Sequence, residues 1–245
     1  MKSKNVAIII PVYNEQDNIL KLIKIIKYLI PKVHIYIIDD SLGLETSLII
    51  NKKEVNYFHR AKKLGRGSAV IYGLKKAIVH KNINFFIEMD ADFSHSPYEL
   101  IKNIKFFKKN NLDLLVSSRY LKNSKIINWP LSRKVFSFFA NYLTKKILGV
   151  PLSDYTNGFR IYSKRSVYKI IKDCGKIGDG FIILSEILLI LHKSKYKISE
   201  TPSIFRNRLR GESSVNLKLI FESFIGLVKL YIYKKMNNRY NKFFF

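Results

Sequence analysis

The chain has 245 residues, 47% apolar and 13% aromatic, enough for one generous domain with a real core and too apolar for a disordered segment. Lys and Arg number 44 against 18 acidic residues, a formal charge of +26, which points to an anionic partner: nucleic acid, a phospholipid surface or a phosphorylated substrate. The single cysteine, Cys174, excludes an internal disulfide and a zinc cluster and reads as a small buried apolar residue in a reducing compartment.

Lys2 and Lys4 precede an apolar run that passes into Tyr13-Asn14-Glu15 without a small-residue cleavage site. It reads as a first strand over 6–11, not a signal peptide. Ile19, Leu22, Ile23, Ile26 and Ile30 recur at helical spacing until Pro31. A strand over 34–38 ends in Asp39-Asp40, and another follows over 55–59. A helix over 68–80 comes after Gly65 and Gly67. A strand over 84–89 ends in Asp90-Ala91-Asp92. Ser96-Pro97-Tyr98-Glu99 has the form of a capping box with Pro in the first turn, so a helix begins there. A strand over 112–117, a helix over 129–148 and a strand over 158–162 come next. A very apolar helix over 181–192 is interrupted by Glu186, and an extended stretch covers 198–206. After the basic, turn-rich loop 206–214, Leu217, Ile220, Phe221, Phe224, Val228 and Tyr231 share one stripe of a last helix, opposite Lys218, Glu222 and Lys229. No run reaches the roughly 18 uninterrupted apolar residues of a membrane span.

The strands are continuous apolar runs, which suits an α/β fold with a mostly parallel sheet covered on both faces by helices. In such sheets ligands bind beyond the carboxyl ends of the strands. The acids at 39, 40, 90 and 92 all fall there.

Asp90 and Asp92 can share one hard divalent cation, which would neutralise a diphosphate leaving group; a solvated or helix-capping acidic loop is the alternative. His95 is placed to add a ligand or to contact substrate. Tyr13 can stack on a base, and Glu15 or Asp40 can accept hydrogen bonds from base or ribose, in a segment that also reads as a helix start. Arg119, Arg133, Arg206, Arg208 and Arg210 form a set suited to phosphate oxygens, although any one of them also reads as a solvated surface residue. Gly65-Arg66-Gly67 reads as a structural tight turn rather than a phosphate loop. His34, His59, His80 and His192 read as structural or surface residues.

These pieces stand in a recognisable order. Pro11-Val12-Tyr13-Asn14-Glu15, Asp39-Asp40-Ser41, Lys63-Leu64-Gly65-Arg66-Gly67-Ser68-Ala69 and Asp90-Ala91-Asp92-Phe93-Ser94-His95-Ser96-Pro97 resemble family 2 glycosyltransferases. Ser118-Arg119-Tyr120, Asn128-Trp129-Pro130-Leu131-Ser132-Arg133, Asp154 to Arg160 and Arg208-Leu209-Arg210-Gly211-Glu212-Ser213 narrow the resemblance to dolichol-phosphate and polyprenyl-phosphate mannosyltransferases. The resemblance implies a GT-A fold: a Rossmann-like catalytic domain over 1–215, followed over 216–245 by an amphipathic helix and tail. It implies that Pro11, Tyr13, Glu15, Asp39, Asp40, Ala91 and Arg119 line the nucleotide-sugar site. Asp90 and Asp92 would hold Mg²⁺ or Mn²⁺ and, with Arg119, form the catalytic set. Arg133, Ser137 and Arg208 would bind the lipid phosphate. Two departures stand out. Where the family continues Ser-Pro-Asp-Gly-Thr, this chain has Leu42-Gly43-Leu44-Glu45-Thr46, so the usual acid is missing or displaced to Glu45; and Ser214 stands where Lys is usual.

The expected activity is inverting transfer of mannose from GDP-mannose to a polyprenyl or dolichyl phosphate. The partners are then a nucleotide-sugar donor, the lipid acceptor and the cytoplasmic face of a membrane bound peripherally, with room for a membrane-anchoring partner subunit and no role for nucleic acid. UDP-glucose as donor is the alternative enzyme reading. A basic nucleic-acid-binding protein and an inactive family member are remoter ones. The last helix either lies on the membrane or packs its stripe on the protein's own core.

Overall fold

The computed structural model describes residues 5–177, 182–207 and 217–242, with the side chains of the last helix described over 222–236. Its centre is a seven-stranded sheet. The strands are β1 (Val6–Val12), β2 (His34–Asp39), β3 (Asn56–His59), β4 (Phe85–Glu88), β5 (Leu114–Ser118), β7 (Arg160–Ser163) and β8 (Ile198–Pro202), in the order β3-β2-β1-β4-β7-β5-β8. Only β7 runs against its neighbours, pairing antiparallel with β4 and β5; the other pairs are parallel. A small second sheet pairs β6 (Lys125–Ile127) with β9 (Ile204–Arg206).

Side chains alternate between the faces of a strand, and in β1 both faces are buried. Ala7 and Ile9 join Tyr36 and Ile38 in one core, under α3 (Arg66–Ile78), α6 (Lys164–Asp173) and α7 (Ile182–Lys193). Val6, Ile8 and Ile10 join Ile35 and Ile37 in the other, under α1 (Gln16–Leu29) and α4 (Leu100–Lys109). That double burial is why these strands read as unbroken apolar runs. Helix α3 lies so close to the sheet that a Cβ on Gly73 would come within 2.6 Å of Ile9 Cγ2.

Three elements carry no signal in the sequence reading: the short α2 (Glu45–Ile49), β6 and α6. Helix α6 is capped by the Ser163 hydroxyl, which accepts from the Ser166 amide. The capping box at Ser96 does not form. Pro97–Glu99 make a 3₁₀ turn before α4, and Ser96 caps nothing with its side chain. Glu99 reaches away to Ser203 Oγ and the Ile204 amide at 2.6 and 3.2 Å, tying the turn to β9 instead.

The last helix, α8 (Leu217–Lys242), packs on α7 and on α5 (Leu131–Leu148). Its buried face is Leu227 and Leu230, not the expected stripe. Phe224, Val228 and Tyr231 are exposed; Leu217, Ile220, Phe221 and Lys218 lie outside the described side chains. Of the two alternatives for this stripe, packing on the core does not hold for its described residues: α8 is apolar on two faces, and a different one is inside. The exposed face continues onto α5, where Val135, Phe136, Phe138, Phe139, Tyr142 and Leu143 are also exposed. Among the described residues no helix is long and apolar enough to cross a membrane.

Candidate active site

The carboxyl ends of β2, β1 and β4 lie side by side, and they carry the predicted nucleotide residues. Pro11 faces Ile38 across the β1–β2 ladder. Tyr13 is half-exposed, with Lys63 Nζ 4.4 Å from its ring centroid. Glu15 precedes α1 and accepts from Asn18 Nδ2 at 2.8 Å. Asp39 is fully buried and accepts from the Ser41 amide at 2.9 Å, from Ser41 Oγ and from Tyr57 OH at 2.6 Å. Asp40 forms a bidentate pair with Arg60 at 2.6 and 2.7 Å and accepts from the Leu64 amide. A nucleotide here meets an Asp40–Arg60 pair rather than a bare carboxylate. The Glu45 carboxylate folds back over Gly43 at the start of α2.

Asp90 and Asp92 follow β4 and flank the buried Ala91. Arg66, the first residue of α3, places Nε and Nη2 each 2.8 Å from Asp90 Oδ1 and Nη1 2.5 Å from Glu88 Oε1. Glu88 in turn accepts from Tyr162 OH at 2.6 Å. Burial works against the charge on Arg66, but the Asp90 and Glu88 carboxylates outweigh it and hold its pKa above the ordinary arginine value. Asp92 Oδ1 accepts from the Ser94 amide at 3.0 Å. His95 is not a ligand in this arrangement. Its Nδ1 accepts from the Asp90 amide at 3.1 Å, and its Nε2 donates to Asn157 Oδ1 at 2.7 Å. The ring is 1% exposed and stacked on Phe159. It buckles the aspartate turn to the 157 segment.

Arg119, at the end of β5, is buried and paired with Asp154. Nε and Nη2 donate to the two carboxylate oxygens at 2.8 and 2.7 Å, and Nη2 also donates to Thr156 Oγ1 at 2.6 Å. Bidentate pairing through Nε and Nη2 leaves Nη1 on the opposite edge of the guanidinium. Burial works against both charges, yet their attraction raises the Arg119 pKa and lowers that of Asp154. Glu200 supports the turn by accepting from the Ser153 and Asp154 amides at 2.7 and 2.9 Å. Arg133 stacks on Trp129, its guanidinium carbon 4.0 Å from the ring centroid, and donates to Asn207 Oδ1. Ser137 Oγ accepts from Tyr120 OH at 2.6 Å.

One cavity of about 750 Å³ joins these groups: Asp90, Asp92, Arg119, Arg133 and Ser137 all line it. Its far wall is apolar, built from Phe136, Phe139 and Leu143 of α5 and Phe224 and Leu227 of α8. Pro11, Tyr13, Glu15, Asp39 and Asp40 stand on the neighbouring strand ends instead. Arg206 is exposed at the end of β9. Arg208, Arg210 and Ser214 lie outside the described residues. The sequence reading missed Arg60, Arg66, Asp154 and Glu200, the partners that fix the recognised groups. Arg66 was in view, but as the middle of a glycine turn.

Beyond a parallel strand edge, a ligand meets the ends of the strands, and here that edge offers paired carboxylates in place of a glycine-rich phosphate loop. The class so defined is an α/β protein of the GT-A type. The model for glycosyl transferase family 2 matches residues 7–171. The chain belongs to this family and is a glycosyltransferase. Among curated relatives, polyprenol monophosphomannose synthase of Mycolicibacterium smegmatis is 28% identical over 221 residues, covering 87% of this chain and 82% of the relative. Dolichol-phosphate mannosyltransferase of Pyrococcus furiosus is 34% identical, covering 97% of this chain and 67% of the relative. Among solved structures, glucosyl-3-phosphoglycerate synthase from Mycobacterium tuberculosis, in complex with Mn²⁺, UDP-glucose and glycerol 3-phosphate, shares the fold at TM-score 0.63 and 15% identity. That likeness covers 92% of this chain and 78% of the other.

Proposed function

We propose that this chain transfers mannose, with inversion, from GDP-mannose to the phosphate of a polyprenyl or dolichyl lipid at a membrane surface. The observation that carries the reading is the shared cavity: Asp90 and Asp92, Arg133 and Ser137, and apolar side chains of α5 and α8 all line it. A phosphate on a long hydrocarbon is the acceptor that needs both a basic head site and an apolar wall. The relatives named for mannosyl transfer to polyprenol and dolichol phosphates support the same acceptor and sugar.

Asp90 and Asp92 fit a hard divalent cation, Mg²⁺ or Mn²⁺. Both are oxygen donors lining one cavity, and among the described residues no cluster of three or more acidic, His or Cys side chains could form an all-protein cage. A cation kept by two carboxylates plus phosphate and water oxygens is the arrangement Mg²⁺ favours. Once bound, it would neutralise the charge developing on the departing diphosphate. The protein's own tasks are positional. Pro11, Tyr13, Glu15, Asp39, Asp40 and Ala91 hold the nucleotide-sugar, and Arg119 turns its outer edge toward the phosphates. Arg133, Ser137 and Arg208 present the acceptor phosphate, whose oxygen forms the new bond to the anomeric carbon as the nucleoside diphosphate leaves from the opposite side. Phosphate is anionic near neutral pH, so no strong general base is required; holding two anions together is the main difficulty. Residues 1–215 supply this chemistry, and α8, within the segment 216–245, joins α5 in meeting the lipid surface.

A radiolabel transfer screen tests the reading. GDP-mannose and UDP-glucose are each paired with polyprenyl and dolichyl phosphate, with and without Mn²⁺. Label entering the lipid phase from GDP-mannose alone, and only with metal, is the expected result. Label from UDP-glucose alone would replace the donor assignment, and no lipid product from any pair would overturn the function.

A further inference from the structure

Arg66 is a largely buried cation with no assigned role, held at the rim of the site by the end of β4 and by the 158 turn. Its guanidinium is committed inside the protein: Nε and Nη2 to Asp90 Oδ1, Nη1 to Glu88, and Nη2 also to the Gly158 carbonyl at 3.4 Å. Glu88 is fully buried and is itself held by Tyr162 OH from β7. The guanidinium is thus fixed from behind and grips Asp90 at Oδ1, while His95 Nε2 stands 3.8 Å from Oδ2, so the carboxylate is placed between the two.

Gly158 makes this grip possible. A Cβ at that position would stand 1.9 Å from Arg66 Nη2 and 2.5 Å from Cζ. Gly158 is not among the glycines with positive φ, so alanine there meets no backbone strain. What it meets is the end of a flexible side chain, which can move aside without unfolding the protein.

We propose that Arg66 is a positioning residue that orients Asp90 toward the donor's cation and diphosphate, and that the bare Cα of Gly158 is the space that admits it. The inference rests on Asp90 and Asp92 being the cation ligands. It requires no contact between Arg66 and substrate: the residue acts through Asp90. Partners that orient a metal ligand typically account for about 10–100-fold in metal affinity.

The test titrates the full chain with Mn²⁺ by electron paramagnetic resonance in the presence of GDP and, in parallel, UDP, and measures nucleotide binding again without metal. Melting temperature is followed for every variant. Arg66→Gln and Gly158→Ala are expected to weaken Mn²⁺ binding about tenfold or more, with Arg66→Lys closer to wild type and metal-free nucleotide affinity unchanged. Gly158→Ala leaves buried Glu88 without its charge partner as the guanidinium moves, so it is expected to melt several degrees below wild type yet stay folded at the assay temperature, where unchanged metal-free nucleotide affinity separates displacement of the guanidinium from loss of fold. Wild-type Mn²⁺ affinity in both Arg66→Gln and Gly158→Ala overturns the proposal. So does an equal loss of nucleotide affinity without metal, which would make Arg66 a direct donor contact. A wild-type chain that binds no Mn²⁺ with either nucleotide sinks the cation reading itself, a failure distinct from the other two.

Discussion

Replacing Asp154 by alanine should cost more stability than any surface change, because it strands a buried cation. Arg119 is 6% exposed at its side chain and Asp154 is fully buried. Asp154 accepts from Arg119 Nε and Nη2 and from the amides of Arg119, Thr156 and Asn157. Removing one partner of such a pair typically costs about 3–5 kcal/mol, chiefly for the charge left behind. Three rings, of Tyr120, Trp129 and Phe205, lie 5.3–5.6 Å from the guanidinium carbon. These contacts stay with the guanidinium in the variant and keep it from being bare, so the lower end of the range, about 3 kcal/mol, is expected. At roughly 2–4 °C per kcal/mol for a chain of this size, the melting temperature should fall by about 6–12 °C. The double variant Arg119→Met, Asp154→Leu should recover only the part due to the stranded charge, since the amides of Arg119, Thr156 and Asn157 still lose their acceptor. Thermal melts of both at pH 7 decide the matter. A single-variant drop under about 2 °C would mean that water or the rings already satisfy Arg119, and the pair would lose its structural meaning. Acid supplies an independent check. Asp154 titrates below the ordinary carboxylate value although burial opposes this, because Arg119 favours its charged form. Its contribution is therefore complete above about pH 4 and lost as pH falls through the lower, folded-state value.

Asp92→Asn should leave the melting temperature unchanged and lower transfer by at least about a hundredfold, the loss of a few kcal/mol of leaving-group stabilisation; full turnover in the variant, or in excess chelator, would remove the cation from the reaction. Phe139→Asp and Phe224→Asp each take an exposed aromatic side chain, 62% and 55% accessible, off the α5–α8 face. Each should weaken liposome co-sedimentation by about tenfold or more without destabilising the fold; unchanged pelleting of the double variant would end the membrane assignment. Glu186 is buried in α7, and burial raises its pKa despite the Gly175 amide donating to Oε2 at 3.0 Å. A raised folded-state value means that stability is lost as pH rises above the ordinary glutamate range. Glu186→Gln should thus melt higher than wild type at pH 8 and lose that advantage near pH 4; a variant less stable at both pH values would refute the assignment.

What could be read from the sequence was local. Ile8, Ile9 and Ile10 mark a strand buried on both faces, and the aspartates mark where such strands stop, because both signals lie within a few residues. The partners were not legible. Arg60 comes to Asp40 across 20 residues, Arg66 to Asp90 across 24, Asp154 to Arg119 across 35 and Glu200 to the Asp154 amide across 46. Each meeting depends on strand order: Arg60 on β3 pairing with β2, and Asp154 on the segment that leads into β7, which enters antiparallel between β4 and β5 with no pattern of its own to announce the direction. The same reason explains the capping box. Ser96 and Glu99 have the right spacing, but β9 is close enough to take Glu99 away. In α8 the periodicity identified a stripe; with apolar residues on two faces, only the position of α5 and α7 decided which face went inside.

Residues 154–158 give these separate contacts a common origin. Asp154 and Thr156 hold Arg119, Asn157 holds His95 and through it the Asp90 amide, and Gly158 makes room for Arg66 against the Asp90 side chain. Asn141 of α5 donates to Thr156 Oγ1 and accepts from the Tyr155 amide, so the helix that carries Arg133 and Ser137 is fastened to the same five residues. A reaction between two anions depends on the distance between the groups that bind them. In this chain that distance is set by one short turn, whose partners are spread from α3 to α5 and whose conformation is fixed by Glu200 from behind. The turn needs no contact with a ligand to matter: it keeps Asp90, Arg119 and the helix that carries Arg133 and Ser137 in one frame.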